Sequence, residues 1–441
     1  MRMKDNLVVE YIKTHPRSQK LHERAEKVFA ADGATHLGRI LEPYRPYITH
    51  AKGSRKWDVD GNEYVDYVMG HGSLILGHSH PDVVLAVQEQ MTKGVHYGDN
   101  HELEIEWAEL IKSMMPSIER VEFFSCGQEA NIMAIMLARI FTGRKKVLRF
   151  EENFHGWAGE VGMLGTPSNI NHGVKVIPGH NLNLVEKELA TKEYAILMTE
   201  GGGARLGGQI PWEADFIRAL PALTRKYGTV WLIDEVVTGF RDSPGGWQAT
   251  IGVTPDLTTL GKTVGGGLGV GVLVGRADIM DILKPKAPPQ QFLSHTGTWN
   301  ANPLTAAAGV AACKLYRDGE VQKRANQLGA YLRKKGNQAL KELGISGRLY
   351  GRSIVHLYFG PIDFEPPDDT MPPTKDVHKL TAGTPTKTRL CLHLLHRGVS
   401  TAGARVLMLS TAHTEEDIEQ TVAAFSDSLH AMSADGTLKP T

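Results

Sequence analysis

Apolar and polar positions along this chain switch between two periods. Short, nearly continuous apolar runs read as buried strands: "VEFFS" (Val121–Ser125), "KVLRFEE", "YAILMTE" (Tyr194–Glu200), "TVWLIDE" (Thr229–Glu235), "DLTTLGK" and "GVGVLVGR". Between them lie segments with helical spacing, among them "GQEANIMAIMLARIFTG" and "DFIRALPALTRKYG". From about Val84 onward this alternation predicts an α/β domain whose mostly parallel sheet is covered on both faces.

The flanks follow a different pattern. "SRKWDVDGNEYVDYV" (Ser54–Val68) predicts a hairpin turning at Asp60-Gly61. The C-terminal third mixes the strand-like "GRLYGRSIVHLYFG" and "ARVLMLS" with helices, the last opening near "HTEEDIEQTVAAF", where Thr414 and Asp417 form an N-cap and an acidic first turn. The proline-rich stretch Gly360–Asp376 predicts an irregular surface loop. The expected organisation is an N-terminal segment (1–83) joining a small α+β domain (311–441), and a large domain (84–310) between them.

Composition narrows the function classes. With 49 Lys+Arg against 49 Asp+Glu, no net charge argues for nucleic acid or an anionic membrane surface. Three widely spaced cysteines (Cys126, Cys313, Cys391) make no disulfide framework and suit a reducing compartment. The charged N-terminus lacks the apolar core of a secretion signal, and no apolar run approaches a membrane span, so a soluble cytoplasmic protein is expected.

Three stretches carry chemistry. "WLIDEVVTGFR" places Asp234 and Glu235 at the carboxyl end of a strand, where α/β sheets hold their ligands. Such an acid can keep a basic cofactor nitrogen protonated; it can equally cap the next turn. "SCGQEAN" starts a helix at Gly127, and helix-start N–H groups bind phosphate, with Ser125 or Gln128 as added donors. "TTLGKTVGGGLG" contains Lys262, but its glycines follow the lysine, so the spacing of a phosphate loop is not met. A solvated loop lysine and an imine-forming lysine both remain open for that stretch alone. Together, a phosphate cup, an acid and a lysine at successive strand ends supply the three contacts that pyridoxal 5′-phosphate (PLP) needs.

Over nearly its whole length the sequence resembles the class III, fold-type I PLP-dependent aminotransferases. It is most similar there to glutamate-1-semialdehyde aminomutases and β-amino acid (β-phenylalanine-type) aminotransferases. The resemblance is carried by "WDVDGNEYVDYVMGHGSLILGHSHP", "SCGQEAN", "RFEENFHGW", "LIDEVVTGFR", "LGKTVGGGLGVG", "HTGTWNANPLTAAAG" and "STAHTEEDI". It implies a large domain built on a seven-stranded, mostly parallel sheet. It also implies Lys262 as the Schiff-base lysine and Asp234 as partner of the ring nitrogen. Val236 and Phe154 then take the two ring faces, Gly127 and Gln128 form the phosphate cup, and Glu200 lies near the phenolic oxygen. Thr298 is implied to reach the neighbouring subunit's phosphate, so a homodimer with shared sites follows. The chain departs from the family at Phe154, where tyrosine is usual, at Gln128, where threonine is usual, and in "EGGGARLGG", where Glu-Pro is usual; the role of Arg205 there is open. His155 either orients the site or satisfies a buried hydrogen bond. His71, His78 and His80 read as parts of a structural turn, with no zinc spacing.

For the substrate, Arg39 falls where both subfamilies keep an arginine for a carboxylate. Arg405 falls where aminomutases hold an acid, and His71 replaces a tryptophan expected of them. These three residues favour an aminotransferase that takes a carboxylate-bearing donor, such as a β-amino acid, and a keto acid such as 2-oxoglutarate. The alternatives are the aminomutase and, further off, a PLP-dependent racemase or a non-catalytic PLP-binding protein.

Overall fold

The computed structural model describes residues 6–31, 33–36, 41–162, 173–285 and 292–438. The chain divides into two compact units: Met1–His71 with Ile75–His80 and Arg324–Thr441, and Gly72–Leu74 with Pro81–Lys323. The larger unit therefore takes in Gly72–Leu74 and the whole helix Pro81–Lys93, and runs past the expected limit at residue 310. That limit would cut through the helix Pro303–Tyr316. Tyr316 donates its hydroxyl to the carbonyl of Thr263 at 3.1 Å, which ties this helix to the segment after Lys262.

The larger unit is built on seven strands: β1 (Arg120–Phe124), β2 (Lys146–Phe150), β3 (Val174–Ile177), β4 (Tyr194–Glu200), β5 (Val230–Glu235), β6 (Leu257–Gly261) and β7 (Gly271–Gly275). Their spatial order is β1-β7-β6-β5-β4-β2-β3. β3 has no counterpart among the runs read from sequence; four residues, only one of them buried, give too weak a signal. β6, β5, β4, β2 and β3 run parallel, and β7 runs antiparallel to both β6 and β1. The nine residues 262–270 between β6 and β7 are too few for the crossover that a parallel pair needs, so the chain turns back. The central strands β4, β5 and β6 are buried at every position, the mark of a sheet covered on both faces. Helix α1 (Gly127–Thr142) covers one face, packing Ala130, Ala134, Leu137 and Ala138 into a core with Ile196, Met198, Leu232 and Leu273. Helix α2 (Ala214–Tyr227) presents Phe216, Ile217 and Leu220 to a second core with Leu197, Trp231 and Ile233. The odd and even positions of β4 and β5 thus serve different layers.

In the other unit, the strands Arg55–Asp58 and Glu63–Asp66 form the expected hairpin. Asp58 accepts the N–H groups of Asp60 and Asn62 across the turn, and Gly61 takes a φ of 89° that favours glycine. Ile48–Lys52 and Val399–Ser400 extend this sheet; Gly347–Gly351, Ile354–Phe359 and Val406–Met408 form another. The final helix, Glu415–Ala434, is capped reciprocally: Thr414 Oγ1 accepts the Asp417 N–H at 3.1 Å and Asp417 Oδ2 accepts the Thr414 N–H at 3.0 Å. Aspartate thus completes a capping box usually closed by glutamate or glutamine.

Candidate active site

The parallel register sets Glu200, Asp234 and Thr259 side by side at the carboxyl ends of β4, β5 and β6. Paired residues on neighbouring strands point to the same face, here the face under α1. Asp234 Oδ2 accepts His155 Nδ1 at 2.9 Å and Asn131 Nδ2 at 2.8 Å, and Oδ1 accepts the Val236 N–H at 3.0 Å. Burial pushes the Asp234 carboxyl up, but the hydrogen bond and charge of His155, with the Val236 and Asn131 donors, pull it below its ordinary value. The result is a buried carboxylate kept ionised. His155 is therefore an orienting residue: the carboxylate fixes its proton on Nδ1.

Lys262 follows β6 directly, with a φ of 49° that a side-chain-bearing residue rarely adopts. Residues held in such backbone cluster at functional sites. Burial lowers its ammonium pKa, while Asp234 and Glu200 act in the opposite direction. Its Nζ makes no hydrogen bond to another described residue, and the net shift favours a neutral amine able to act as nucleophile or base.

Glu200 is buried and its pKa is pushed up to about 8, by burial first; the N–H groups of Arg205 and Phe154, both donating to Oε2, oppose this, and Asp234 adds to it. One carboxylate oxygen thus holds together the Phe154 loop and the turn at Arg205, where Arg205 and Leu206 have φ values of 60° and 56°. Phe154 is 54% exposed.

Helix α1 opens without a side-chain cap at Cys126, so no capping side chain occupies its first N–H groups. Gly127 is required there by a close approach: a Cβ would lie 2.5 Å from Val236 Cγ2. Val236 also lies 3.1 Å from where a Cβ on Gly261 would stand, so it fills the space between the cup and the lysine strand. Gln128 departs from its expected part, since its Oε1 accepts the N–H groups of Trp157 and Ala158 at 2.7 and 3.3 Å. It braces the loop after Phe154, and only its Nε2 remains as a donor to a phosphate. Uncapped N–H groups, an ionised acid and a buried lysine whose pKa is lowered, all around Val236, fit the cofactor implied by the sequence.

Gly127, Gln128, Phe154, Glu200, Asp234, Val236, Lys262 and Thr298 all lie in the larger unit. Thr298 sits in an exposed segment where its carbonyl takes His96 Nε2 at 2.5 Å. His71 and Arg405 lie in the other unit. His71 has a φ of 57° and stacks on His36 with ring centroids 4.9 Å apart. Arg405 is exposed, with no carboxylate partner among the described residues. Arg39 lies outside the described residues. Asn131 and Thr259 escaped the sequence reading. Asn131 stands one helical turn beyond Gly127 and Thr259 three residues before Lys262, and only the strand register brings the pair to Asp234.

The family model for class-III aminotransferases matches residues 41–428. A glutamate-1-semialdehyde 2,1-aminomutase of Thermodesulfovibrio yellowstonii is 36% identical over 92% of this chain and 97% of its own length. The β-phenylalanine aminotransferase of Variovorax paradoxus has a similar structure, with a TM-score of 0.87 and 29% identity over 97% of each chain. A transaminase structure with PLP bound gives a TM-score of 0.84 at 26% identity over 96% of this chain and 99% of that one.

Proposed function

The chain belongs to the class-III aminotransferases, and on that premise we propose that it moves an amino group on carboxylate-bearing substrates at a site built around Lys262. PLP is its cofactor, and when bound it supplies a carbonyl that condenses with amines and a ring that accepts electrons. Lys262 Nζ would be the covalent anchor, and once displaced it would take the proton from the substrate carbon and deliver it across the amine nitrogen, two atoms away. Asp234, held ionised by His155 and Asn131, keeps the ring nitrogen protonated. Val236 and Phe154 would flank the ring. The first N–H groups of α1, at Gly127 and Gln128, hold the phosphate. Glu200 would lie on the side of the ring oxygen. Thr298 completes the site of a second copy in a homodimer, the expected assembly. The observation that carries this reading is the juxtaposition of an ionised Asp234 with a Lys262 biased toward the neutral amine.

Of the finer readings, intramolecular transfer on glutamate-1-semialdehyde has the stronger support, because the curated relatives of 31–36% identity carry that name. Transfer from a β-amino acid to a keto acid, the reading that the sequence favoured, stands second. It draws support from Arg405, exposed and without a carboxylate partner among the described residues, and from the likeness to the β-phenylalanine enzyme. Arg39 and His71 join Arg405 as proposed substrate contacts in either case. Purified protein given the semialdehyde alone should form 5-aminolevulinate; turnover only of β-phenylalanine with 2-oxoglutarate would instead establish the second reading. Lys262→Ala should abolish both activities and the visible absorption of the lysine-bound cofactor. Cytoplasmic placement is part of the proposal, and no helix among the described residues is long and apolar enough to cross a membrane.

A further inference from the structure

The side-chain amide of Asn131 has every hydrogen-bonding atom occupied inside the fold. Nδ2 donates to Asp234 Oδ2 at 2.8 Å and to the carbonyl of His155 at 2.9 Å, while Oδ1 accepts the hydroxyl of Thr259 at 2.8 Å. Asn131, Thr259 and Asp234 are all nearly inaccessible to solvent. The amide is close to symmetric in shape, and a half-turn about its last bond would set Oδ1 against the Asp234 carboxylate. The Asp234 carboxylate and the His155 carbonyl can only accept, so they set the observed orientation, and the Thr259 hydroxyl locks it by donating to the amide oxygen that is left. A buried amide oxygen without that donor would bear a desolvation cost.

We propose that Thr259 is a positioning residue for the cofactor ring: through Asn131 it aims an N–H at Asp234 and so holds the Asp234 carboxylate as the anion facing the ring nitrogen. This rests on the reading of Asp234 as the ring-nitrogen partner. The three residues come from three elements, namely α1, whose start is the proposed phosphate cup, β5, which carries the acid one residue before its end, and β6, which Lys262 directly follows. One hydrogen-bonded chain thus fixes the acid relative to both the cup and the lysine strand. The charged and titratable neighbours that act on the acid, His155, Glu200 and Lys262, are unchanged by substitution at Thr259.

The test uses the holoenzyme and reads the visible spectrum of the bound cofactor as a function of pH. Thr259→Val keeps the shape and removes the hydroxyl. It should move the spectral midpoint by about half a pH unit or more, the scale of one lost buried hydrogen bond. It should also lower kcat about tenfold with less than a twofold change in KM. Thr259→Ser, which restores the hydroxyl, should return both to wild-type values. Thr259→Ala gives the same readout if valine is not accommodated. A hydroxyl deletion that lowers Tm but leaves the spectral midpoint in place would overturn the proposal and reduce Thr259 to a packing residue. A wild-type protein with no visible band would defeat the PLP reading itself, a result distinct from an unmoved midpoint.

Discussion

Asp234 and Glu235 are neighbours on one strand, both buried, and they face opposite layers with opposite outcomes. Glu235 accepts four hydrogen bonds, from the N–H groups of Trp247 and Gln248, from Gln248 Nε2 and from Thr238 Oγ1. Its pKa is nevertheless raised, because burial outweighs donors that are all neutral. Asp234 has fewer donors, but one of them is the titratable His155, and its pKa falls. Hydrogen bonds alone staple a loop; a charged or chargeable partner keeps an acid ionised for chemistry. The Glu235 face fastens the segment 238–248 to the sheet, and the Asp234 face is the one proposed to serve the cofactor.

The contrast is sharpest under substitution. Asp234→Asn should lower kcat about 10²–10³-fold by removing a preorganised charge, with a change in Tm small beside that loss. Glu235→Ala should do the converse. It leaves the Trp247 and Gln248 N–H groups unpaired in the interior and should cost about 2–4 kcal/mol of stability in denaturant unfolding. The turnover of the molecules that remain folded should stay within a fewfold of wild type. Equal losses of kcat at unchanged Tm for both variants would erase the difference between the two faces.

The smallest effect concerns pH. Glu200 shares the rung of Asp234 but lacks an imidazole partner, and its folded pKa stands near 8, above its ordinary 4.5. A raised acid binds its proton in the fold and has released it in the unfolded chain. Its contribution is therefore fully present below about pH 4.5 and is lost as pH rises toward 8. Melting curves of the cofactor-free protein between pH 5 and pH 8 should show Tm falling, and Glu200→Gln should flatten that slope. An identical slope in the variant would remove Glu200 as its source.

Much of the fold was legible because buried parallel strands leave continuous apolar runs, and the strands ending in Glu200, Asp234 and the residue before Lys262 all stood out this way. The chemistry proposed for Lys262 rests on its register with the acid and the cup. The sense of Gln128 was not legible, since an amide's two ends are equivalent in sequence, and only the packing of the loop at Trp157 and Ala158 assigns its oxygen inward. His155 was equally balanced between two parts until the distance to Asp234 decided it.

By itself, then, the sequence determined the alternating layers, the strand ends and the kinds of group placed there, because these follow from local periodicity and from short motifs. The tertiary structure alone decided which groups meet. Asn131, Thr259 and Asp234 are separated by up to 128 residues, and nothing local relates them. Their contact exists because parallel pairing puts two strand ends level and a helix lies across both, and burial then makes each of their hydrogen bonds obligatory.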